Sequence, residues 1–277
     1  MLGAGTAVLF GFLHLIAFIL VFGLGASLVS GSTALELNAA VAQLVAPLLA
    51  LYAALARWAP SESTTAAVGL QPVAGSRWRA LQVFFFAIVL GVVLAPLAAE
   101  ITARIFQALP MPPLDPEELR ELLKHEPMGP GTVLVLFTCL VVLVPLAEET
   151  LYRGFLQRRL VVRGQTRAGS WRAVLLIAVI YSAVQVNPRF APGAFLLALG
   201  LALAARSGGS TWTSVAAHMA HRATPVALTF FIGGHLPGES LVPEDLFLPW
   251  QVSAACAGIA ALAAMALWRL RERSALT

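Results

Sequence analysis

The chain has 277 residues, of which 59 % are hydrophobic and only 12 % charged, against about a quarter charged in soluble domains. That balance excludes an ordinary soluble enzyme and makes the chain a polytopic membrane protein, all-α by the rule that a bilayer is spanned by helices or closed barrels. The formal charge of +4 comes from 18 Lys and Arg against 14 acids, and its placement argues for membrane orientation rather than nucleic-acid binding.

Apolar runs of roughly 20 residues predict eight helices, at about 5–29, 34–56, 81–104, 132–160, 171–186, 190–206, 210–232 and 250–269. The first run starts almost at Met1 with no basic segment before it, so it reads as a retained span rather than a cleaved leader. Residues 57–80, rich in Ser, Thr, Gly and Pro, read as a flexible linker. Between the third and fourth spans, Asp115 to Lys124 has acids at its start, a base at its end and Leu119, Leu122 and Leu123 on one face, which suits a short helix on the membrane surface. A second acidic loop carries Glu239, Glu244 and Asp245. Three parts are expected: 1–131, N-terminal helices; 132–232, a core bearing the chemistry; 233–277, a loop, the last span and a basic tail.

With eight spans, Arg57, Arg77, Arg79, Arg158, Arg159, Arg163, Arg167, Arg172, Arg206, Arg269, Arg271 and Arg273 fall on one side, whereas Arg104, Arg120, Lys124 and Arg189 fall on the other. The positive-inside rule makes the first side cytoplasmic, with both termini there, as in a bacterial inner-membrane protein. Cys139 and Cys256 lie in apolar runs and indicate neither a disulfide framework nor a cysteine metal site.

Charged groups inside spans are costly and point to function. In the fourth span, Glu149 and Arg153 stand four apart on one helical face, while Glu148 is about 100° round the axis and has no local partner. A carboxylate held in apolar surroundings without a counter-ion titrates nearer neutrality, the condition for a general base that activates water. Tyr181 and Gln185 share a face of the fifth span just before Asn187-Pro188, and His218 and Arg222 share a face of the seventh, with His221 offset. Glu148, Gln185 and His218 are expected to border one water-filled cavity. His14, Glu36, Asn38 and Glu100 are scattered, lie near predicted ends or have no spaced partner, and are expected to cap, snorkel or pair locally; His125 and His235 fall in loops.

These motifs resemble the CPBP family of intramembrane proteases, which includes CAAX prenyl endopeptidases and bacteriocin-processing or immunity proteins. Its Glu-Glu-x-x-x-Arg motif is complete at Glu148, Glu149 and Arg153 and is followed by Gly154 and Phe155. The second motif, aromatic-x-x-x-His then Asn-Pro, is matched by Tyr181, Asn187 and Pro188, with Gln185 at the histidine position. The third has His218, with Arg222 where Asn is usual. The resemblance implies that Glu148 activates water and that the third-motif pair stabilises the oxyanion. Gln185 cannot shuttle a proton and is a poor ligand for a transition metal, so a metal-free scheme is preferred to zinc, and no cofactor is expected.

Two functions of different class follow. One is an endopeptidase acting on a membrane-associated peptide or protein, with membrane lipid as its other partner. The alternative is a catalytically impaired relative acting in binding, immunity or scaffolding, which Gln185 and Arg222 favour. A transporter using Glu148 as proton carrier would require internal repeats with broken helices, and the sequence has none.

Overall fold

The computed structural model describes residues 3–28, 32–59, 63–108, 130–164, 167–185, 190–232 and 249–274. Among them there is no strand. The helices are α1 (Ala4–Leu28), α2 (Ser32–Trp58), the short α3 (Thr64–Ala67), α4 (Arg77–Ala108), a composite α5, then α6 (Arg167–Ala183), α7 (Ala191–Gly208), α8 (Thr211–Ile232) and α9 (Trp250–Ser274). Six are long and apolar enough to cross a membrane by length and composition, those of α1, α2, α4, α5, α7 and α9. The expected eight is therefore matched by helical bodies but not by eight qualifying spans: α6 offers only the shorter Ser170–Ala183, and α8 carries His218, His221 and Arg222 within its length. Leu24, Phe85 and Leu262 are among many large apolar side chains on the outer surface, the arrangement expected where the surrounding solvent is lipid.

Helix α4 packs against α7, α8 and α9, and together they bury one core around Leu90, Leu94 and Leu201. A second core joins α1, α2, α5, α6 and α7 around Tyr152, Phe155, Ile177 and Tyr181. Close approach of α4 to α8 depends on Gly91, where an added Cβ would run into the carbonyl of Ala217.

Helix α5 is not uniform. It runs as α-helix over Pro130–Phe137, widens to a π-helix over Thr138–Leu143, returns to α-helix over Val144–Glu149, widens again over Thr150–Gln157 and ends as α-helix over Arg158–Gly164. Pro145 has no N–H to give the preceding turn, and the first wide stretch ends just before it. At the second, the Thr150 hydroxyl shares its proton between the carbonyls of Leu146 (2.7 Å) and Ala147 (2.8 Å), which its backbone N–H also reaches. Glu148 and Glu149 end the α-helical turn between the two wide segments, a placement common at functional positions.

The linker expected to be flexible is instead docked. Ala67 and Val68 are buried, the Val68 carbonyl accepts from Thr211 Oγ1 at 2.8 Å, the Gly69 carbonyl accepts from the Thr211 N–H at 3.0 Å, and Arg158 donates to the Ala66 carbonyl at 3.1 Å. Gly69 turns the strap with φ +64°, and Gly154 lets the Val68 carbonyl lie against α5. Composition suggested flexibility because Ser, Thr and Gly suit both loose linkers and turns; the buried backbone partners decide for a turn. The segments 115–124 and 239–245, together with His125, Asn187 and His235, lie outside the described residues.

Candidate active site

Four helices converge on the glutamate pair. Glu149 Oε1 accepts from Arg153 Nη1 at 3.0 Å, with both side chains fully buried. The i, i+4 spacing on α5 brings them together, as the sequence predicts. Arg153 is further held by the Ala198 carbonyl of α7 at 3.2 Å, and its guanidinium lies 4.7 Å from the centre of the Tyr181 ring. Helix α8 supplies the third group: His218 Nδ1 is 3.1 Å from the same Glu149 oxygen. An ionised carboxylate only accepts, so that ring nitrogen carries the proton and Nε2 is left with its lone pair.

Glu148 has different company. Its Oε2 accepts from the Tyr181 hydroxyl of α6 at 2.8 Å and lies 3.9 Å from His218 Nε2. Glu148 keeps 6 % of its surface exposed whereas Glu149 keeps none, and Oε1 of Glu148 has no hydrogen-bond partner among the described residues. Glu149 is therefore locked through Oε1 by a cation and an imidazole, its Oε2 buried with no hydrogen-bond partner among the described residues, whereas Glu148 has one oxygen anchored by a phenol and keeps a small exposed surface.

Of the residues singled out in the sequence, Glu148, Glu149, Arg153, Tyr181 and His218 form one contiguous polar cluster. Arg222 joins through His218, its Nε 3.5 Å from His218 Nε2, and makes no ion pair with Glu148 among the described residues. A bidentate bridge from Arg222 would have immobilised the Glu148 carboxylate, and none is formed among the described residues. Gln185 stands apart: its Nε2 donates to the Tyr181 carbonyl at 3.1 Å, turning the amide back on its own helix end instead of toward Glu148 and His218. The second-motif helix reaches Glu148 through Tyr181. His221 has its ring 6.4 Å from that of His218, and its Nδ1 is buried with no hydrogen-bond partner among the described residues.

Asn38 donates to the Phe22 carbonyl of α1 at 2.9 Å, across two helices, and Glu100 pairs locally as expected, with Arg104 (2.6 Å). His14 does not. It is buried on α1 and its Nδ1 lies 2.6 Å from the Tyr152 hydroxyl, a partner 138 residues away. Its only sequence signal was an unexplained imidazole in an otherwise apolar span.

No group of three His, Cys, Asp or Glu side chains stands arranged for a metal ion among the described residues. Around Glu148 the donors are a phenol and a single imidazole, a set that does not fit a zinc site. The arrangement suits general acid–base chemistry on a water molecule.

The fold and this cluster define an integral membrane protein with a buried carboxylate–imidazole site. Residues 130–224 match the family model described as Type II CAAX prenyl endopeptidase Rce1-like, which agrees with the CPBP resemblance carried by the three motifs and spans α5 to the middle of α8. No curated protein and no solved structure matches the chain.

Proposed function

We propose that this protein is an intramembrane endopeptidase of the CPBP type that hydrolyses a peptide bond of a membrane-associated protein or peptide. The observation that carries the reading is the asymmetry of the glutamate pair: an anchored, partly open Glu148 beside a locked Glu149, within the segment that matches the family. Glu148 Oε1 takes a proton from water, and the hydroxide so formed attacks the scissile carbonyl. Tyr181 keeps the carboxylate turned toward the substrate. Glu149 fixes His218, whose Nε2 lone pair accepts from Arg222 and holds that guanidinium, and Arg222 polarises the carbonyl oxygen as negative charge develops on it. The proton held by Glu148 then passes to the departing amine. No metal is needed for these steps.

The partners of such a site are membrane lipid and an anchored peptide, and the Arg-rich ends of the helices meet lipid headgroups rather than nucleic acid. The same asymmetry of basic residues supports a bacterial inner-membrane location with both termini cytoplasmic.

A second reading, a non-catalytic relative in binding, immunity or scaffolding, is favoured by one observation: Gln185 brings no proton-exchanging group to Glu148. The two readings separate in lipid vesicles containing the purified protein and a farnesylated peptide with a CAAX terminus. Glu148→Gln is expected to abolish cleavage, while Gln185→His leaves it intact or raises it. Undiminished cleavage by the Glu148 variant excludes that base, and absence of cleavage by the wild type favours the binding protein.

A further inference from the structure

Helix α1 lies outside the family-matching segment, yet it places an imidazole at the edge of the site. Tyr152, the partner of His14, follows Glu148 by four residues on α5, so the two project from nearly the same side of that helix. The Tyr152 ring meets the Tyr181 ring edge-on, centroids 5.2 Å apart and planes at 90°. Tyr181 in turn donates to Glu148 at 2.8 Å. His14 and Glu148 are thus joined by a hydrogen bond, a ring contact and a second hydrogen bond, through side chains that are almost wholly buried.

Packing alone does not call for an imidazole here. Around it, α1 meets its neighbours through apolar or small residues, Phe10 edge-on to Trp58 and Gly11 against Ile180. A buried imidazole is costly unless bonded, and so is a buried phenol; two apolar residues would avoid both costs. The pair that is present lies against the tyrosine that holds the proposed base. With Gln185 turned away, α6 hydrogen-bonds Glu148 only through the Tyr181 hydroxyl among the described residues, and the Tyr181 ring is steadied on the α5 side by Tyr152.

We propose that His14 is a positioning residue of the Glu148 site, its bond to Tyr152 fixing the tyrosine pair that sets the Tyr181 hydroxyl on the carboxylate. The proposal rests on the hydrolase reading and extends it: the first span is part of the machinery and acts on the chemical step rather than on peptide binding.

The test uses the full chain in vesicles with the farnesylated probe peptide, measuring kcat and KM for His14→Ala, His14→Asn, Tyr152→Phe and the Ala/Phe double variant. His14→Ala and Tyr152→Phe should each lower kcat about ten-fold with KM unchanged, and the double variant should be no slower than the slower single one. Asn offers an amide near the position of Nδ1 and should recover most of the rate. Wild-type kcat in both single variants beside an inactive Glu148→Gln overturns this inference and leaves the hydrolase reading standing. Multiplicative losses in the double variant overturn it as well, because they mark two independent packing defects. Should His14→Ala fail to fold, full activity of Tyr152→Phe suffices to overturn it. Equal inactivity of the wild type and Glu148→Gln overturns both readings together.

Discussion

On one side of α5, Glu149 is clamped between Arg153 and His218 with no surface exposed; roughly 100° round the same helix, Glu148 is held by a single tyrosine hydroxyl and keeps one oxygen open. The two carboxylates are chemically identical and adjacent in the chain. Their difference comes from which helices face them: α7 and α8 close over the first, and α6 touches the second at one atom. One buried acid thereby becomes a fixed strut, while its neighbour keeps the open oxygen that the proposed general base requires.

The contrast can be broken most severely on the locked side. Arg153→Ala leaves Glu149 buried without its cation and is expected to destabilise the protein by about 3–5 kcal/mol, read as a fall in the thermal unfolding midpoint in detergent. An unchanged midpoint would mean that Glu149 is not locked by that pair. On the open side, Tyr181→Phe removes a hydrogen bond to a charged acceptor worth about 1.5–3 kcal/mol, so cleavage of the farnesylated probe should slow by about ten- to a hundred-fold with the fold retained. Wild-type cleavage would show that the carboxylate needs no anchor. The smallest effect is expected between the two helices that hold His218 in place. Gly91→Ala drives a methyl group against the Ala217 backbone and should cost about 1–3 kcal/mol of stability and some activity, whereas Gly5→Ala, with nothing within 4 Å, should change neither. Equal behaviour of the two glycine variants would refute the tight α4–α8 contact.

Much of the architecture is legible from hydropathy, because the length of an apolar run sets whether a helix can cross the bilayer, and the helical bodies fall within a few residues of the predicted runs. The docked strap at 63–76 was not legible: its buried backbone groups are satisfied by Thr211 and Arg158, which belong to distant helices. Nor was the turn of the Gln185 amide, since the end of a helix offers a side chain both its own carbonyls and the space beyond.

The sequence by itself determined the helical membrane class, the Glu-Glu-x-x-x-Arg motif, and the pairing of Glu149 with Arg153. All of these depend on hydropathy or on residues one turn apart, which the helical period brings together wherever the helix sits. Only the tertiary structure decided that Tyr181 reaches Glu148 across 33 residues, that His218 reaches Glu149 across 69, and that His14 reaches Tyr152 across 138. Those contacts depend on how each helix is rotated and how closely its small residues let it approach, and that is set by packing of the whole bundle rather than by any local pattern.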